Sequence, residues 1–238
     1  MDKRCIAICD SGIGGLRLLK MATERYPGED FVYLGDFENL PYGDKSEEEI
    51  ISIARNCYEK LVHFCPKLII FACNTLSTVA LNHLKGLGVP VIGVLPAVRA
   101  GRGLLLCTRA TARSGYVKEL KRQNKKLFVR EMVGLAEKIE KYYEKGAEVD
   151  ICNDFGSGWD YVSLGCTHYP LIYSKFLKIF KGTPIISGEG AVLRQIEKYV
   201  TTTNPKGKEG LTCFIGKESQ KLERIFKNLL FFNDFKNF

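Results

Sequence analysis

The 238-residue sequence lacks several features that would place it in a common class of protein. No apolar run approaches the roughly 20 residues of a membrane-spanning helix, and the few apolar residues before Asp10 cannot form a signal-peptide core. The three histidines are scattered, and neither a CxxC nor an HxxxH pair is present, so metal-ligand spacing is missing. We therefore expect a cytoplasmic protein with no membrane partner and no metal.

Signatures of nucleic-acid binding and of cofactors are also missing. The net charge of +8 is spread thinly, and the most basic stretch, 118–145, is interleaved with glutamates, as is typical of a solvated helix face. The glycine-rich segment Asp10–Gly15 is followed by Arg17, where a dinucleotide fingerprint needs glycine. A phosphate loop is absent, and no lysine stands in a setting suited to pyridoxal phosphate. The sequence predicts neither a cofactor nor a nucleic-acid partner.

The sequence does contain a regular α/β rhythm, because short apolar runs alternate with longer amphipathic stretches. The pattern predicts parallel sheets with strands at Cys5–Cys9, Phe31–Leu34, Leu68–Ala72, Val91–Val94, Leu104–Cys107, Tyr161–Leu164, Pro184–Ser187 and Leu211–Ile215. It predicts helices at Leu16–Tyr26, Glu47–Phe64, Leu76–Leu87, Tyr116–Asn124, Leu135–Lys145, Leu193–Tyr199 and the C-terminal end. Segment 94–100 contains Pro96 and precedes Gly101 and Gly103, as expected of a crossing between two lobes, and 183–190 is a second candidate crossing. We expect one lobe at 1–95 plus 188–238 and the other at 96–187.

Nine cysteines are present, and their odd number fits thiols better than a disulfide framework. A single cysteine is most simply interpreted as a small buried apolar residue, and that is our interpretation of seven of them: Cys5, Cys9, Cys57, Cys65, Cys107, Cys152 and Cys213. Cys73 and Cys166 differ, because 68–75 and 161–168 share one pattern of strand, small residue, cysteine and hydrogen-bonding residues before a helix. Each thiol is thus predicted at a strand end facing a helix N-terminus, which favours thiolate.

Two further residues are candidate proton partners for these thiols. Asp10 stands at the end of the first strand, where it could orient or deprotonate a thiol, although capping the next helix is an equally good role for it. His168 lies two residues beyond Cys166 and is a suitable acid or base for that thiol. Pro41-Tyr42-Gly43 predicts a turn that presents a phenol.

Together these segments resemble the glutamate racemase family. The resemblance rests on Asp10–Gly15, Pro41-Tyr42-Gly43 with Lys45-Ser46, Cys73-Asn74-Thr75 and Gly165–Leu171, in that order and over most of the chain. It implies two similar parallel-sheet α/β lobes related by a pseudo-twofold axis, with the active site in the cleft between them. It also implies a cofactor-independent reaction in which one thiolate removes the Cα proton and the opposite thiol delivers another.

The resemblance carries residue roles as well. Cys73 would act on D-glutamate beside Asp10, and Cys166 on L-glutamate beside His168, with Glu137 as the supporting acid. The substrate would be held by Asp10, Ser11, Pro41, Tyr42, Gly43, Asn74, Thr75, Thr111, Thr167 and His168. A cytoplasmic homodimer that supplies D-glutamate for bacterial peptidoglycan is the implied setting. The sequence departs from the family pattern at 127–140, which lacks the usual Cys-Pro and Val-Pro-x-x-Glu segments.

Other functions fit parts of the pattern. A hydrolase or lyase with a single catalytic thiol would need Cys166 and His168 but not Cys73. A racemase acting on another acidic amino acid, such as aspartate, would keep both thiols. A relative without catalytic activity would bind its ligand without exchanging the Cα proton.

Overall fold

The computed structural model describes residues 5–151, 154–200 and 210–231. Within these ranges the strands are β1 (Ile6–Asp10), β2 (Phe31–Gly35), β3 (Leu68–Phe71), β4 (Val91–Gly93), β5 (Gly103–Cys107), β6 (Leu127–Glu131), β7 (Tyr161–Gly165), β8 (Ile185–Ser187) and β9 (Thr212–Ile215). The helices are α1 (Leu16–Arg25), α2 (Glu47–Val62), α3 (Asn74–Ala80), α4 (Arg109–Arg113), α5 (Gly115–Gln123), α6 (Leu135–Lys145), α7 (Tyr173–Ile179), α8 (Glu189–Ile196) and α9 (Ser219–Phe231). Short 3-10 turns occupy Leu81–Leu84 and Tyr169–Ile172.

The described strands form two parallel sheets with the same topology. The first sheet has the order β4-β3-β1-β2-β9, and the second has the order β6-β5-β7-β8. Strands β2-β1-β3-β4 therefore correspond to β6-β5-β7-β8, and β9 is an addition at the edge of the first sheet. The predicted α/β class with two similar lobes is confirmed. The exact bounds of the two lobes in the chain remain a prediction.

Most predicted elements are present, with ends shifted by a few residues. The helix predicted at Leu76–Leu87 is an α-helix only as far as Ala80, because the hydroxyls of Ser77 and Thr78 bond to carbonyls one turn back and the chain then tightens. Strand β6 and helix α4 were not predicted. Strand β6 lies at an edge of the second sheet and is only partly buried, so it lacks a continuous apolar run.

One apolar core extends through both lobes. Side chains from β1 and β3 pack with α1, α8 and α9, and the same cluster continues to β5, β7, α6 and α7. Two smaller clusters cover the outer faces, one beneath α2 and α3 and one beneath α5. The prediction that all seven remaining cysteines are buried was wrong for Cys65 and Cys213, which are exposed; Cys152 lies outside the described residues.

Buried polar contacts also connect the chain where it passes between the lobes. Arg17 forms a buried ion pair with Glu189, which also accepts a hydrogen bond from Ser187. The backbone of Gly188 lies against the carbonyl of Leu95, where a side chain would not fit. Among the described residues, no helix is long and apolar enough to cross a membrane.

Candidate active site

The two singled-out thiols lie at equivalent ends of the two sheets. Cys73 follows β3 as the N-terminal cap of α3, and Cys166 follows β7 just before the turn that leads into α7. Backbone N–H groups of Leu76 and Thr75 point at the Cys73 sulfur, as the N-terminus of a helix allows. Both thiols line the same cavity, one from each lobe.

This cavity contains about 450 Å³ of empty space, counting its open mouth. Nine of the predicted site residues line it: Ser11, Pro41, Tyr42, Gly43, Cys73, Thr75, Glu137, Cys166 and His168. Asp10, Asn74, Thr111 and Thr167 lie behind this surface and are buried. The lining also includes residues that sequence reasoning did not select, namely Leu40, Asp44, Thr108, Arg109, Met132, Val133, Gly134 and Ala136.

Asp10 is the polar group behind the first thiol. Its Oδ1 accepts the N–H of Gly12 at 3.1 Å, and its Oδ2 accepts the hydroxyl of Thr167 from the other lobe at 3.0 Å. Burial raises the pKa of Asp10, although the charge of His168 and the two hydrogen bonds lower it in part. Burial, followed by the charge of Asp10, raises the pKa of the Cys73 thiol well above its ordinary value.

His168 is the polar group behind the second thiol, and it is fully enclosed. Its Nδ1 lies 3.9 Å from the Cys166 sulfur, and its Nε2 lies 2.8 Å from Oε1 of Glu140. Burial alone would lower the pKa of His168, but its contacts with Cys166 and Glu140 outweigh burial and raise it well above the usual value. The imidazole therefore bridges a thiol and a carboxylate, and both contacts favour its protonated form.

The carboxylate that supports His168 is Glu140, whereas the resemblance pointed to Glu137. Glu140 also accepts the N–H of Ile13 from the first lobe at 2.8 Å. Burial would raise the pKa of Glu140, but the hydrogen bond and charge of His168 lower it below its usual range. Glu137 lies one turn earlier on α6 and lines the cavity instead. Sequence reasoning missed Glu140 because the altered 127–140 segment offers several glutamates and no motif to choose among them.

The glycines of Asp10–Gly15 have a tertiary role that their sequence did not reveal. A Cβ at Gly14 would lie 2.6 Å from Nδ1 of His168 and from the hydroxyl oxygen of Thr167. A Cβ at Gly12 would collide with the carboxylate of Glu140. Gly12 and Gly14 therefore lack side chains at the points where the second lobe's polar groups approach the first lobe's backbone.

The predicted substrate-binding side chains are largely engaged with the protein itself. The Tyr42 hydroxyl donates to Asp36 at 2.7 Å, and the Asn74 amide donates to the carbonyl of Val94 at 3.0 Å. The hydroxyl oxygens of Thr75, Thr108 and Thr111 lie 2.8 to 3.1 Å apart and connect the lobes. Thr108 could have been found from the threonine-rich run 108–114 that contains Thr111.

Two α/β lobes each place a buried thiol at one cavity, with Asp10 behind one thiol and His168 behind the other. Among the described residues, no group of three or more histidine, cysteine, aspartate or glutamate side chains could hold a metal ion. No protein-family model matches the chain. The glutamate racemase of Aquifex aeolicus is 34% identical over 240 residues, covering 94% of this chain and 93% of that relative. The chain belongs to the glutamate racemase family.

Solved structures of this family have the same fold. The structure of Escherichia coli glutamate racemase with L-glutamate and the activator UDP-MurNAc-Ala is 25% identical, with a TM-score of 0.77, and covers 94% of this chain and 95% of that one. The Francisella tularensis glutamate racemase with D-glutamate is also 25% identical, with a TM-score of 0.73 over 96% and 95% of the two chains.

Proposed function

We propose that this protein interconverts L- and D-glutamate by removing the Cα proton with one thiol and replacing it from the other. The observation that carries the proposal is the pair of thiols, Cys73 and Cys166, which line one cavity from opposite lobes. A proton must leave one face of Cα and arrive at the other, which requires a base and an acid on opposite sides of the substrate. Relatives with this fold have been solved with each enantiomer of glutamate.

The groups beside the thiols support a direction for each. Burial and Asp10 hold Cys73 in its protonated form, so in that state it is the proton donor that completes D-glutamate. In its neutral form the imidazole of His168 can accept the proton of Cys166 at Nδ1, which leaves the thiolate that acts as the base toward L-glutamate; in its protonated form it can return that proton. In the reverse direction, Asp10 receives the proton of Cys73, and Cys166 is the donor.

Glu140 is the supporting acid in this proposal. Its contact with Nε2 fixes the orientation of the His168 ring and leaves Nδ1 directed at Cys166. Its second contact, with the N–H of Ile13, holds α6 of the second lobe against the first. Glu140 therefore acts through His168 and is a positioning residue.

The transition state needs stabilisation of the negative charge that develops on the substrate. The N-terminus of α3 directs backbone N–H groups toward this region, and Thr75 and Thr108 line the same cavity. Because Tyr42 and Asn74 use their side chains within the protein, we propose that the Pro41–Gly43 turn and the 74–75 segment contact the substrate mainly through the backbone. Ser11, Thr111 and Thr167 complete the predicted binding set.

The biological setting follows from the family. Supply of D-glutamate for peptidoglycan, and thereby for cell-wall biogenesis and cell shape, is part of this proposal. The homodimer, the cytoplasmic location and the lobe bounds at 95/96 and 187/188 remain predictions.

Incubation of each enantiomer in heavy water tests the function. We expect deuterium at Cα and conversion to the other enantiomer, and we expect Cys73→Ser and Cys166→Ser each to stop conversion. A single-thiol hydrolase would lose activity only with Cys166→Ser, and a protein that binds glutamate without exchange would be a non-catalytic relative. Parallel incubation with aspartate distinguishes the two acidic substrates.

A further inference from the structure

The lining of the cavity carries more carboxylates than permanently charged cations. Among the described lining residues, Arg109 is the one side chain with a permanent positive charge, while Asp44 and Glu137 carry carboxylates. His168 also lines the cavity, but its two nitrogens face Cys166 and Glu140. A substrate with two carboxylates and one ammonium group is a net anion, so Arg109 is the lining cation that remains to receive a carboxylate.

Arg109 is held at a seam between the lobes. Its Nη1 lies 3.0 Å from Oδ1 of Asp44 in the first lobe, and its Nε lies 3.4 Å from Oε2 of Glu131 in the second. The next residue, Ala110, donates its N–H to the carbonyl of Gly43 at 2.8 Å. The guanidinium therefore lies beside the Tyr42–Gly43 turn, which itself lines the cavity.

Hydrogen bonds hold the backbone next to Arg109 in place, whereas the Arg109 side chain is partly exposed. Thr108 caps α4 by accepting the N–H of Thr111, and its hydroxyl also contacts Thr75 across the lobes. The Arg109 side chain is 37% exposed and that of Asp44 is 46% exposed. An ion pair this open is weak, so another carboxylate can replace one partner at little cost.

We propose that Arg109 is a specificity-determining residue that binds the distal carboxylate of the substrate in exchange for Asp44. The inference rests on the proposed function only in taking glutamate as the ligand. Replacing one carboxylate with another keeps the charge at the guanidinium constant, and the planar fork of arginine suits a carboxylate. A neutral amide cannot make the same exchange, so glutamine is rejected although it has almost the same shape.

The experiment measures binding and turnover separately for glutamate and glutamine. Arg109→Gln is expected to weaken glutamate binding, measured by calorimetry, about tenfold, because one charge-assisted hydrogen bond is lost. In steady-state kinetics it should raise KM more than it lowers kcat. Glutamine binding should change little, so discrimination between the two ligands narrows. Arg109→Lys should recover part of the loss, since it restores the charge without the fork.

The matched control is Arg113→Gln, which removes the same charge from the same helix at a residue that is 70% exposed and also near Glu131. If the two arginine variants weaken glutamate binding equally, the loss reflects only the change in net charge, and the proposal is overturned. So would an Arg109→Gln variant that weakens glutamate and glutamine equally.

Asp44→Asn tests the exchange itself, because it removes the competing carboxylate. It should tighten glutamate binding about two- to fivefold, the strength of an exposed ion pair. Unchanged or weaker binding would overturn the exchange. If the unmodified protein binds glutamate but does not exchange its Cα proton, the proposed function fails while the binding comparison still decides the role of Arg109.

Discussion

The two halves of the site have the same topology but different polar groups beside their thiols. Cys73 has a carboxylate, Asp10, behind it, whereas Cys166 has an imidazole, His168. The sheet register shows where the halves diverge: Asp10 stands on β1 where Cys107 stands on β5. The second lobe therefore has no carboxylate at that position and obtains one from α6, through Glu140 and His168. A repeated fold thus places a carboxylate behind one thiol and an imidazole behind the other.

After loss of a thiol itself, the largest expected effect comes from removing the polar group behind either thiol. Asp10→Asn and His168→Asn should each reduce kcat/KM about 10²- to 10⁴-fold, the range of general acid–base catalysis. Because the two enantiomers have equal free energies, kcat/KM must fall equally in both directions. The difference between the halves should appear in the deuterium isotope effect on Cα: larger from D-glutamate with Asp10→Asn, and larger from L-glutamate with His168→Asn. The same isotope effects from both variants would contradict the assigned directions.

A smaller effect separates the two glutamates on α6. Glu140→Gln keeps the shape and one hydrogen bond but removes the charge behind His168, so we expect about a 10- to 100-fold loss of kcat/KM. Glu137→Gln is the matched variant, and its loss should be smaller and mainly in KM because Glu137 lines the cavity. Steady-state kinetics of the two variants checks this. The reverse ranking would restore Glu137 as the supporting acid.

The same pair should affect stability in a defined pH range. Because the pKa of Glu140 is lowered in the folded protein, Glu140 contributes to the free energy of unfolding above the pKa of unfolded glutamate, about 4.3. This contribution is lost as the pH falls through the folded pKa. Because the pKa of His168 is raised in the folded protein, its contribution to the free energy of unfolding is complete below the pKa of unfolded histidine, about 6.5. This contribution is lost as the pH rises through the folded pKa. Glu140→Gln should lower the free energy of unfolding most between these values, by about 3 kcal/mol. Denaturant titrations across pH check this, and a loss independent of pH would contradict it.

The smallest effect is expected at Cys107. It is buried, and burial followed by the charge of Cys166 raises the pKa of its thiol, so it remains a neutral apolar side chain. Cys107→Ala should lower the free energy of unfolding by about 1 kcal/mol, the cost of a small cavity, and leave turnover unchanged. A large loss of turnover would show that the second half uses a third thiol.

Much of the site could be predicted from sequence because its determinants are local. Each thiol lies within a short strand-to-helix segment, and parallel strands bring their carboxyl ends to one edge of a sheet. Strand ends at Asp10, Cys73 and Cys166 therefore indicated a shared crevice. The choice between Glu137 and Glu140 could not be predicted, since residues one turn apart on a helix share a face and only packing decides which one reaches His168.

The amino-acid sequence by itself determined the α/β class, the two matched cysteines and the polar residue nearest to each. The tertiary structure alone decided that Glu140 supports His168, that Gly12 and Gly14 make room for the opposite lobe, and that Arg109 meets Asp44 across the cavity mouth. It also decided that Cys65 and Cys213 are exposed. The physical reason is that sequence patterns report the neighbours of a residue along its own strand or helix. Contacts between lobes join residues far apart in the chain, and their geometry follows from how whole elements pack.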